Sequence, residues 1–268
     1  MMKVFEITNI LIIKYLFCRI IPFFLFSGCF FSCVPEDKYD TSPQTNFDAL
    51  WKILDERYCF FETKGVDWQA VYRKYQQHIR TNMSDEALFD VLATMLAELK
   101  DGHVNLSTPF NIARYHEWYS GFPDNFDAKI QRAYLGNDYN MASGMRYRIL
   151  DDNVGYLYCG DFSNVIGAGN VDWMIYTFSI CRGMIIDVRN NGGGLLSNVE
   201  TLASRYTNKR ILTGYTRYKT GKGHDDFSAP QARYLEPASR IRFQKPVVVL
   251  TNRHCFSATN EFVNVMHL

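Results

Sequence analysis

The stretch KPVVVLTNRHCFSATNEF, residues 245–262, starts as an apolar strand and ends in a helix. The polar residues in its centre end at Ser257. This serine lies beside the first N–H groups of the predicted helix, which lack a partner within the helix, and at the positive end of the helix dipole. Two interpretations fit this position. Ser257 caps the helix, as serine often does, or it is a nucleophile in a setting that suits a developing oxyanion. The surrounding residues do not form the GxSxG elbow of an α/β-hydrolase.

A second stretch, GMIIDVRNNGGG at residues 183–194, predicts a strand that is buried on both faces of a sheet. The strand leads into Gly192, Gly193 and Gly194, which accept positive φ and let another chain or a substrate carbonyl come close. Their backbone N–H groups can bind an oxyanion, and a flexible turn is the alternative. The loop has neither the GK[ST] of a P-loop nor the GxGxxG spacing, so phosphate binding is the weaker interpretation.

The stretch LKDGHVNL, residues 99–106, places His103 just past the end of a predicted helix and at the start of a β-like segment. A rigid element therefore positions the imidazole and leaves it accessible. Imidazole is the side chain best suited to take a proton from serine near neutral pH. A surface or helix-capping histidine is the alternative. Other histidines are poorer candidates: His78 lies in a surface-like helix, and His254 is too close to Ser257 along the chain to face it easily.

Hydrophobic periodicity divides the chain into a helical part and an α/β part. Apolar residues at three- to four-residue spacing predict a small helical subdomain over residues 47–103, in which Ser84 caps the best delimited helix. Residues 104–147 are aromatic and irregular, and we assign them to short strands and loops. Beyond them, strands alternate with loops and helices, which predicts a layered α/β core over residues 104–268. Residues 221–230, GKGHDDFSAP, are predicted to form an exposed loop.

The N-terminal 33 residues have the composition of an export signal, because basic residues precede a dense apolar run that is short for a membrane span. The run places small residues before Cys29 and before Cys33, which resembles the lipobox of bacterial lipoproteins. We expect residues 1–33 to be a lipoprotein-type signal peptide and residues 34–46 to be a polar linker. The protein is then exported and attached to the membrane of the bacterial cell envelope by a lipid on one of the two cysteines, facing the periplasm or the cell surface.

Composition excludes several classes of function. A net charge of +1 without a long basic block argues against a nucleic-acid partner. The four cysteines beyond the predicted leader are widely spaced in apolar settings, so we expect most of them to be buried small hydrophobic residues. A zinc site at His254 and Cys255 is disfavoured because adjacent side chains on an extended segment point to opposite sides. We predict no metal and no cofactor.

The blocks LKDGHVNL, GMIIDVRNNGGG and PVVVLTNRHCFSATNEF, in this order and behind a helical segment, resemble the tail-specific, or C-terminal-processing, serine peptidases, particularly the tricorn-core-like branch. The resemblance spans roughly residue 47 to the end, with close matches only in the three blocks. It implies an α/β fold with a crotonase- or ClpP-like layered β/α core, preceded by a small helical subdomain. It also implies hydrolysis of a peptide or unfolded protein through an acyl-enzyme.

The resemblance assigns a role to each candidate residue. Ser257 matches the nucleophile, and His103 matches the histidine that serves as base in the tricorn-like branch. Backbone N–H groups of Gly193, Gly194 and Ala258 would form the oxyanion hole, in which each donor is typically worth ~3 kcal/mol of the barrier. In this scheme His103 deprotonates Ser257, the serine attacks the carbonyl, and water later releases the acyl group.

Two departures from the family pattern bear on function. The interval between residues 107 and 151 is too short and irregular for the PDZ-like domain that members often carry. Only eleven residues follow Ser257, whereas the family continues with further strands, helices and a late acidic residue or lysine that completes the site. Glu261 is expected to be a surface or capping residue rather than a substitute. We therefore expect a truncated chain, and whether this chain is active stays an open question.

Two other functions remain as alternatives. A non-catalytic cell-surface protein that binds peptides would retain the same fold without turnover. An acyl-transfer enzyme with a crotonase-like core would use a similar oxyanion loop on thioesters. The predicted export leader argues against the acyl-transfer enzyme, because coenzyme A is cytoplasmic.

Overall fold

The computed structural model describes residues 40–268 of the chain. Three predictions lie outside these residues: the signal peptide at residues 1–33, its candidate lipid anchors Cys29 and Cys33, and the first part of the linker. Within residues 40–268, no helix combines the length and the apolar character that a membrane crossing requires.

Within residues 40–268, four helices precede the first strand: α1 Pro43–Arg57, α2 Phe61–Lys64, α3 Trp68–Gln76 and α4 Asp85–Ala97. Ser42 caps α1 with its side chain, and Pro43 occupies the first turn, where its missing N–H is not needed. The predicted linker to residue 46 is therefore too long, because α1 already begins at Pro43. Ser84 caps α4 as predicted, since its hydroxyl accepts a hydrogen bond from the Ala87 N–H.

Aromatic and aliphatic side chains of these helices pack into one cluster, in which Phe47 and Leu99 are fully buried. The next elements, β1 Asn105–Ser107 and β2 Ile112–Arg114, form an antiparallel pair that contacts α4. Leu106 of β1 packs against the same cluster. The packing of the helical region thus continues into the segment that we assigned to the core.

Seven further strands and four further helices complete the described chain: α5 Ala128–Leu135, β3 Asn140–Ala142, β4 Met145–Ile149, β5 Val154–Tyr158, α6 Ala168–Thr177, β6 Gly183–Asp187, α7 Leu196–Ala203, β7 Ile211–Thr216, β8 Gln231–Leu235, β9 Val247–Leu250 and α8 Ala258–His267. The helix α5 lies where the sequence predicted only short strands and loops. Asp127 starts it by accepting hydrogen bonds from the N–H groups of Lys129 and Ile130. A capping aspartate in an aromatic, irregular segment is a weak signal from sequence alone.

A five-stranded sheet in the order β3-β4-β5-β6-β9 forms the centre of the core. The strands β3, β4 and β5 are antiparallel, whereas β5, β6 and β9 are parallel. Tyr158 pairs with Asp187, and Asp187 pairs with Leu250, so the parallel strands end at one edge of the sheet. The loops after these strands meet there, as in other open α/β sheets. The predicted α/β class is confirmed.

Helices α6, α7 and α8 pack with the sheet around one apolar cluster, in which Ile186, Val188 and Phe262 are fully buried. Val188 follows β6 directly and Phe262 belongs to α8. Their burial removes apolar surface from water at about 25 cal/mol per Å². The cluster therefore anchors the residue that leads into the glycine loop and packs against the helix that begins after Ser257.

The strands β7 and β8 form a separate antiparallel pair beside α8. Arg233 of β8 donates to Glu261 of α8 at 2.9 Å, which places Glu261 in a structural ion pair. The loop between the two strands reaches the helical region, where His224 Nε2 lies 2.9 Å from Asp55 Oδ1. Residues 221–226 of this loop are exposed as predicted, and the contact of His224 also attaches the loop to a distant part of the molecule.

Candidate active site

Ser257 lies at the start of α8 in a backbone conformation that serine rarely adopts. Its φ of 52° and ψ of −121° fall outside the regions that residues with a side chain favour. Its hydroxyl makes no capping hydrogen bond to the helix. The capping interpretation is therefore wrong for Ser257. Strain of this kind persists only where the surroundings impose it, and it clusters at functional sites.

Asn191 is fully buried and connects the loops on which the site is built. Its Oδ1 accepts hydrogen bonds from the Gly193 N–H at 2.9 Å and from Thr259 Oγ1 at 2.6 Å. Its Nδ2 donates to the Cys159 carbonyl at 3.0 Å, and its own carbonyl accepts from the Phe256 N–H. One side chain thus fixes the segment after β5, the glycine loop after β6 and the entry to α8.

The glycines of this loop are required by close packing. Gly193 has a φ of 95°, and a Cβ there would lie 2.6 Å from the Phe256 carbonyl oxygen and 2.8 Å from Ser257 Cβ. Gly194 has a φ of 143°, and a Cβ there would lie 2.2 Å from the carbonyl carbon of Phe162. Only glycine fits both the conformations and the contacts. The packing does not support the interpretation of this run as a flexible turn.

The three predicted oxyanion donors differ in their availability. The Gly193 N–H already donates to Asn191 Oδ1 and is not free to bind a ligand oxygen, which corrects the prediction for Gly193. Within residues 40–268, the N–H groups of Gly194 and Ala258 have no hydrogen-bond acceptor. Ala258 is the first residue of α8, where the helix itself leaves N–H groups unpaired.

His103 lies beside the segment that carries Ser257. Its imidazole stacks on Phe256, with ring centroids 4.3 Å apart and ring planes at 26°. The side chain of His103 is 60% exposed, and the hydrogen bonds that His103 makes run through its backbone. Among the described residues, no hydrogen bond joins the imidazole to the Ser257 hydroxyl. The structure therefore places His103 against the residue that precedes Ser257, and the predicted bond between the two side chains is not made.

Aromatic side chains cover the loop before Ser257. Trp118 also stacks on Phe256, with ring centroids 4.8 Å apart, and its carbonyl accepts a hydrogen bond from Arg253 Nε at 2.7 Å. Trp118, Phe256 and Asn191 were not predicted from the sequence as parts of the site. Asn191 adjoins the glycines and Phe256 adjoins Ser257, but their roles depend on contacts between segments far apart in the chain.

The cysteines do not add a reactive group to this site. Three of the four cysteines within residues 40–268 are buried, whereas Cys59 is exposed. Burial raises the pKa of Cys159 to about 12, so this thiol stays protonated near neutral pH. The His254 ring packs against Tyr119, whereas the Cys255 thiol donates to a backbone carbonyl after β6. Across residues 40–268, no cluster of three or more His, Cys, Asp or Glu side chains is arranged to hold a metal.

Two parts of the chain match known families. Residues 39–97 match the Tricorn protease C1 domain, and residues 153–268 match Peptidase family S41. A solved structure from Parabacteroides merdae, whose assignment as a peptidase is provisional, is 52% identical to this chain. That match covers 85% of this chain and 73% of the other, with a TM-score of 0.80. The chain belongs to peptidase family S41.

Membership in family S41 confirms the resemblance to the tail-specific peptidases. The structure of mature CPAF is 14% identical, with 84% of this chain and 81% of that one covered, and its TM-score of 0.63 shows a shared fold. A structure of mature CPAF complexed with lactacystin is 13% identical, with 84% and 82% covered and a TM-score of 0.61. Among curated proteins, none matches this chain. Family membership implies a peptide or protein substrate.

Proposed function

We propose that this S41 chain is a serine peptidase of the tail-specific type, with Ser257 as nucleophile and His103 as base. The surroundings of Ser257 support the proposal. Its hydroxyl makes no capping hydrogen bond, its backbone is strained, and Gly193 lies so near that a Cβ there would be 2.8 Å from Ser257 Cβ. A serine that only starts a helix has no need of this conformation. Family membership supports hydrolysis of peptide bonds.

The arrangement supports acyl transfer to Ser257. The exposed imidazole of His103, which stacks on Phe256, rotates toward Ser257. Its Nε2 then accepts the proton of the Ser257 hydroxyl. The serine oxygen attacks the peptide carbonyl carbon, and the N–H groups of Gly194 and Ala258 bind the resulting oxyanion. His103 then gives its proton to the leaving amine, and a water molecule deprotonated by the same imidazole releases the acyl group. Catalytic hydrogen bonds are often long before substrate binds, which is consistent with the unmade bond.

Reaction of the purified full chain with a fluorophosphonate probe tests this proposal. We expect covalent labelling of Ser257, located by mass spectrometry, together with hydrolysis of an unstructured peptide. Both are lost in Ser257→Ala. Ser84→Ala is the matched control, because Ser84 also precedes a helix but caps it. A folded wild-type chain that neither reacts with the probe nor cleaves the peptide would contradict the proposal.

A non-catalytic peptide-binding protein is the second candidate, because the structure shows no hydrogen bond between His103 and Ser257. This function predicts binding of an unstructured peptide, measured by fluorescence anisotropy, without turnover and without labelling. Binding would be equal in the wild-type chain and in Ser257→Ala. The probe reaction therefore separates the two candidates.

We also propose, from the sequence alone, that the protein is exported and lipid-anchored through Cys29 or Cys33. Labelling with an alkyne fatty acid in a bacterial host tests this. One of the variants Cys29→Ser and Cys33→Ser is expected to lose both the label and membrane association, which identifies the modified residue. Retention of the label in both single variants and in the double variant would exclude the anchor.

A further inference from the structure

Asp101 precedes His103 by two residues, and its carboxylate is held by the surrounding side chains. Oδ2 accepts a hydrogen bond from the Tyr58 hydroxyl at 2.7 Å, and Oδ1 accepts one from the His103 backbone N–H at 2.9 Å. Oδ1 also lies 3.5 Å from His103 Nδ1. The side chain of Asp101 is 12% exposed, whereas that of His103 is 60% exposed. A nearly buried carboxylate therefore faces one nitrogen of an accessible imidazole.

The surroundings keep this carboxylate ionised. Burial acts to raise the pKa of Asp101, but the hydrogen bonds from Tyr58 and the His103 N–H, with the charge of Lys64, lower the pKa overall. Lys64 is fixed nearby because its Nζ donates to the Lys100 carbonyl at 3.0 Å. Burial and the hydrogen bond to Asp101 raise the pKa of Tyr58, so its hydroxyl remains a donor.

A fixed carboxylate beside Nδ1 has a defined effect on an imidazole. It favours the tautomer with the proton on Nδ1, which leaves the Nε2 lone pair free to accept a proton. It also stabilises the imidazolium that forms when the proton arrives. Phe256 holds the ring on one face. Because Asp101 occupies the Nδ1 side, Nε2 is the nitrogen left to approach Ser257.

A purely structural role accounts for only part of this geometry. A hydrogen bond from an aspartate to the N–H two residues later is common in turns. Such a turn explains the contact between Asp101 and the His103 backbone. It does not explain why a buried tyrosine of another helix-flanking segment, Tyr58, also binds the carboxylate. That contact fixes the carboxylate relative to the helical cluster as well as to its own loop.

We propose that Asp101, held in place by Tyr58, is the positioning residue for His103: it orients the imidazole and selects the tautomer that accepts the proton of Ser257. The inference rests on the proposed function and deepens it. Asp101 acts through His103 and does not touch the substrate.

The test compares Asp101→Asn, Asp101→Glu and Tyr58→Phe with the wild-type full chain. Asp152→Asn is the matched control, because Asp152 pairs with Arg182 at 3.2 Å on the surface, away from the site. We expect Asp101→Asn to lower kcat for an unstructured peptide by about 10- to 100-fold with KM unchanged, because the charge that faces Nδ1 of His103 is lost. Tyr58→Phe lowers kcat by about 3- to 10-fold. Asp101→Glu recovers part of the loss.

A second measurement is independent of turnover. Nitrogen-15 NMR of labelled histidine reports the tautomer of His103, assigned through His103→Gln. We expect the Nδ1–H form to dominate in the wild-type chain and in Asp152→Asn, and to lose population in Asp101→Asn. An unchanged tautomer in folded Asp101→Asn would overturn the inference, as would equal kcat in Asp101→Asn and Asp152→Asn.

Failure of the proposed function has a different signature. If the wild-type chain is neither labelled nor active, the assignment of Ser257 fails, while the tautomer measurement still decides whether Asp101 controls His103. If Ser257 is labelled and the tautomer does not respond to Asp101, only the positioning role fails. Circular dichroism confirms folding of each variant, and Tyr58→Phe, which changes no charge, provides the second variant if Asp101→Asn does not fold.

Discussion

Ser84 and Ser257 both directly precede a helix, yet their conformations are opposite. Ser84 has an extended backbone, with φ of −73° and ψ of 163°, and its hydroxyl accepts a hydrogen bond from the Ala87 N–H. Ser257 has φ of 52° and ψ of −121° and makes no such bond. Acidic residues follow both serines in the first turn of the helix. The difference therefore does not come from the helix that each serine starts.

The difference comes from the segments that contact each serine. Ser84 is exposed, so its local capping preference decides its conformation. Ser257 follows Phe256, whose N–H donates to the Asn191 carbonyl, and it lies so near Gly193 that a Cβ there would be 2.8 Å from Ser257 Cβ. These contacts impose on Ser257 a conformation other than the extended capping conformation that serine favours before a helix. Local rules fail at functional sites more often than elsewhere, and this pair of serines is an example within one chain.

The largest expected effect is on the labelling rate of Ser257, when a methyl group fills the space beside this serine. In Gly193→Ala the new methyl group collides with the Phe256 carbonyl oxygen and with Ser257 Cβ, at 2.6 and 2.8 Å, and it is also strained by the φ of 95°. We expect fluorophosphonate labelling of Ser257 to slow by at least about 100-fold, because relief of the collision displaces Ser257 relative to the proposed oxyanion donors, the N–H groups of Gly194 and Ala258.

Gly192→Ala is the matched control for this change. A Cβ at Gly192 meets nothing within 4 Å, and its backbone is not in the left-handed region. We expect its labelling rate to stay within about twofold of the wild-type rate, since surface substitutions away from special contacts have small effects. Thermal unfolding of both variants confirms that they are folded. Equal labelling of the two glycine variants would show that the loop can move aside.

Loss of one buried hydrogen bond behind Ser257 is expected to have the next largest effect. Thr259 is fully buried, and its hydroxyl donates to Asn191 Oδ1 at 2.6 Å. In Thr259→Val the shape is kept and the hydrogen bond is lost, so we expect the free energy of unfolding to fall by about 1–2 kcal/mol. Urea denaturation measures this change.

Thr201→Val is the control for the loss of a threonine hydroxyl. Thr201 donates to the Ser197 carbonyl within α7 and is partly exposed, so water can replace its bond. We expect a change within about 0.5 kcal/mol. A similar loss of stability in the two threonine variants would mean that the network of Asn191 does not hold the entry to α8 more firmly than an ordinary helix bond.

Substitutions of the two serines are expected to change the free energy of unfolding differently. Ser84→Ala removes a cap and lowers the free energy of unfolding by about 1 kcal/mol. Ser257→Ala removes no cap and changes it by less than about 0.5 kcal/mol. Ser257→Gly raises it by up to about 1 kcal/mol, because glycine accepts the positive φ without strain. Urea denaturation of the three variants checks the order, and a loss of stability in Ser257→Gly would show that the conformation of Ser257 is not strained.

Much of the fold follows from local sequence patterns. The strand at residues 183–187 is an unbroken apolar run, and Ser84 with two acidic residues starts a helix, so both were predicted. The helix α5 was missed because its one clear signal, the cap at Asp127, lies among aromatic residues without periodicity. The loop at residues 221–230 was predicted to be exposed, and its contact with Asp55 depends on a residue 169 positions away.

The candidate site was predictable as a set of residues but not as a geometry. Ser257, His103 and the glycines stand in short stretches that resemble the family pattern. Engagement of the Gly193 N–H by Asn191 was not predictable, because the bend of the loop decides whether that N–H points to its neighbour or to a ligand. The stacking of His103 on Phe256 joins a residue that precedes the aromatic, irregular segment in sequence to one that follows it. Contacts across such distances depend on the assembled sheet.

The smallest expected effect is the contribution of Asp101, which lies beside the proposed base His103, to the pH dependence of stability. The pKa of Asp101 is lowered from its ordinary value of 3.8, although burial acts in the opposite direction, because Tyr58 and the His103 N–H bind the carboxylate. A lowered pKa contributes stability that is present above about pH 4 and is lost as the pH falls through the folded-state pKa. Asp101→Asn removes this contribution. We therefore expect it to be less stable than the wild-type chain at pH 7, by less than about 1 kcal/mol because burial of the charge offsets part of what the hydrogen bonds contribute, and to approach the wild-type stability below pH 4. Urea denaturation at pH 7, 5 and 3 measures the difference. A gap that stays constant over this range would mean that the substitution acts through packing, and the Asp101 carboxylate would then be no more firmly held in its charged form than one in the unfolded chain.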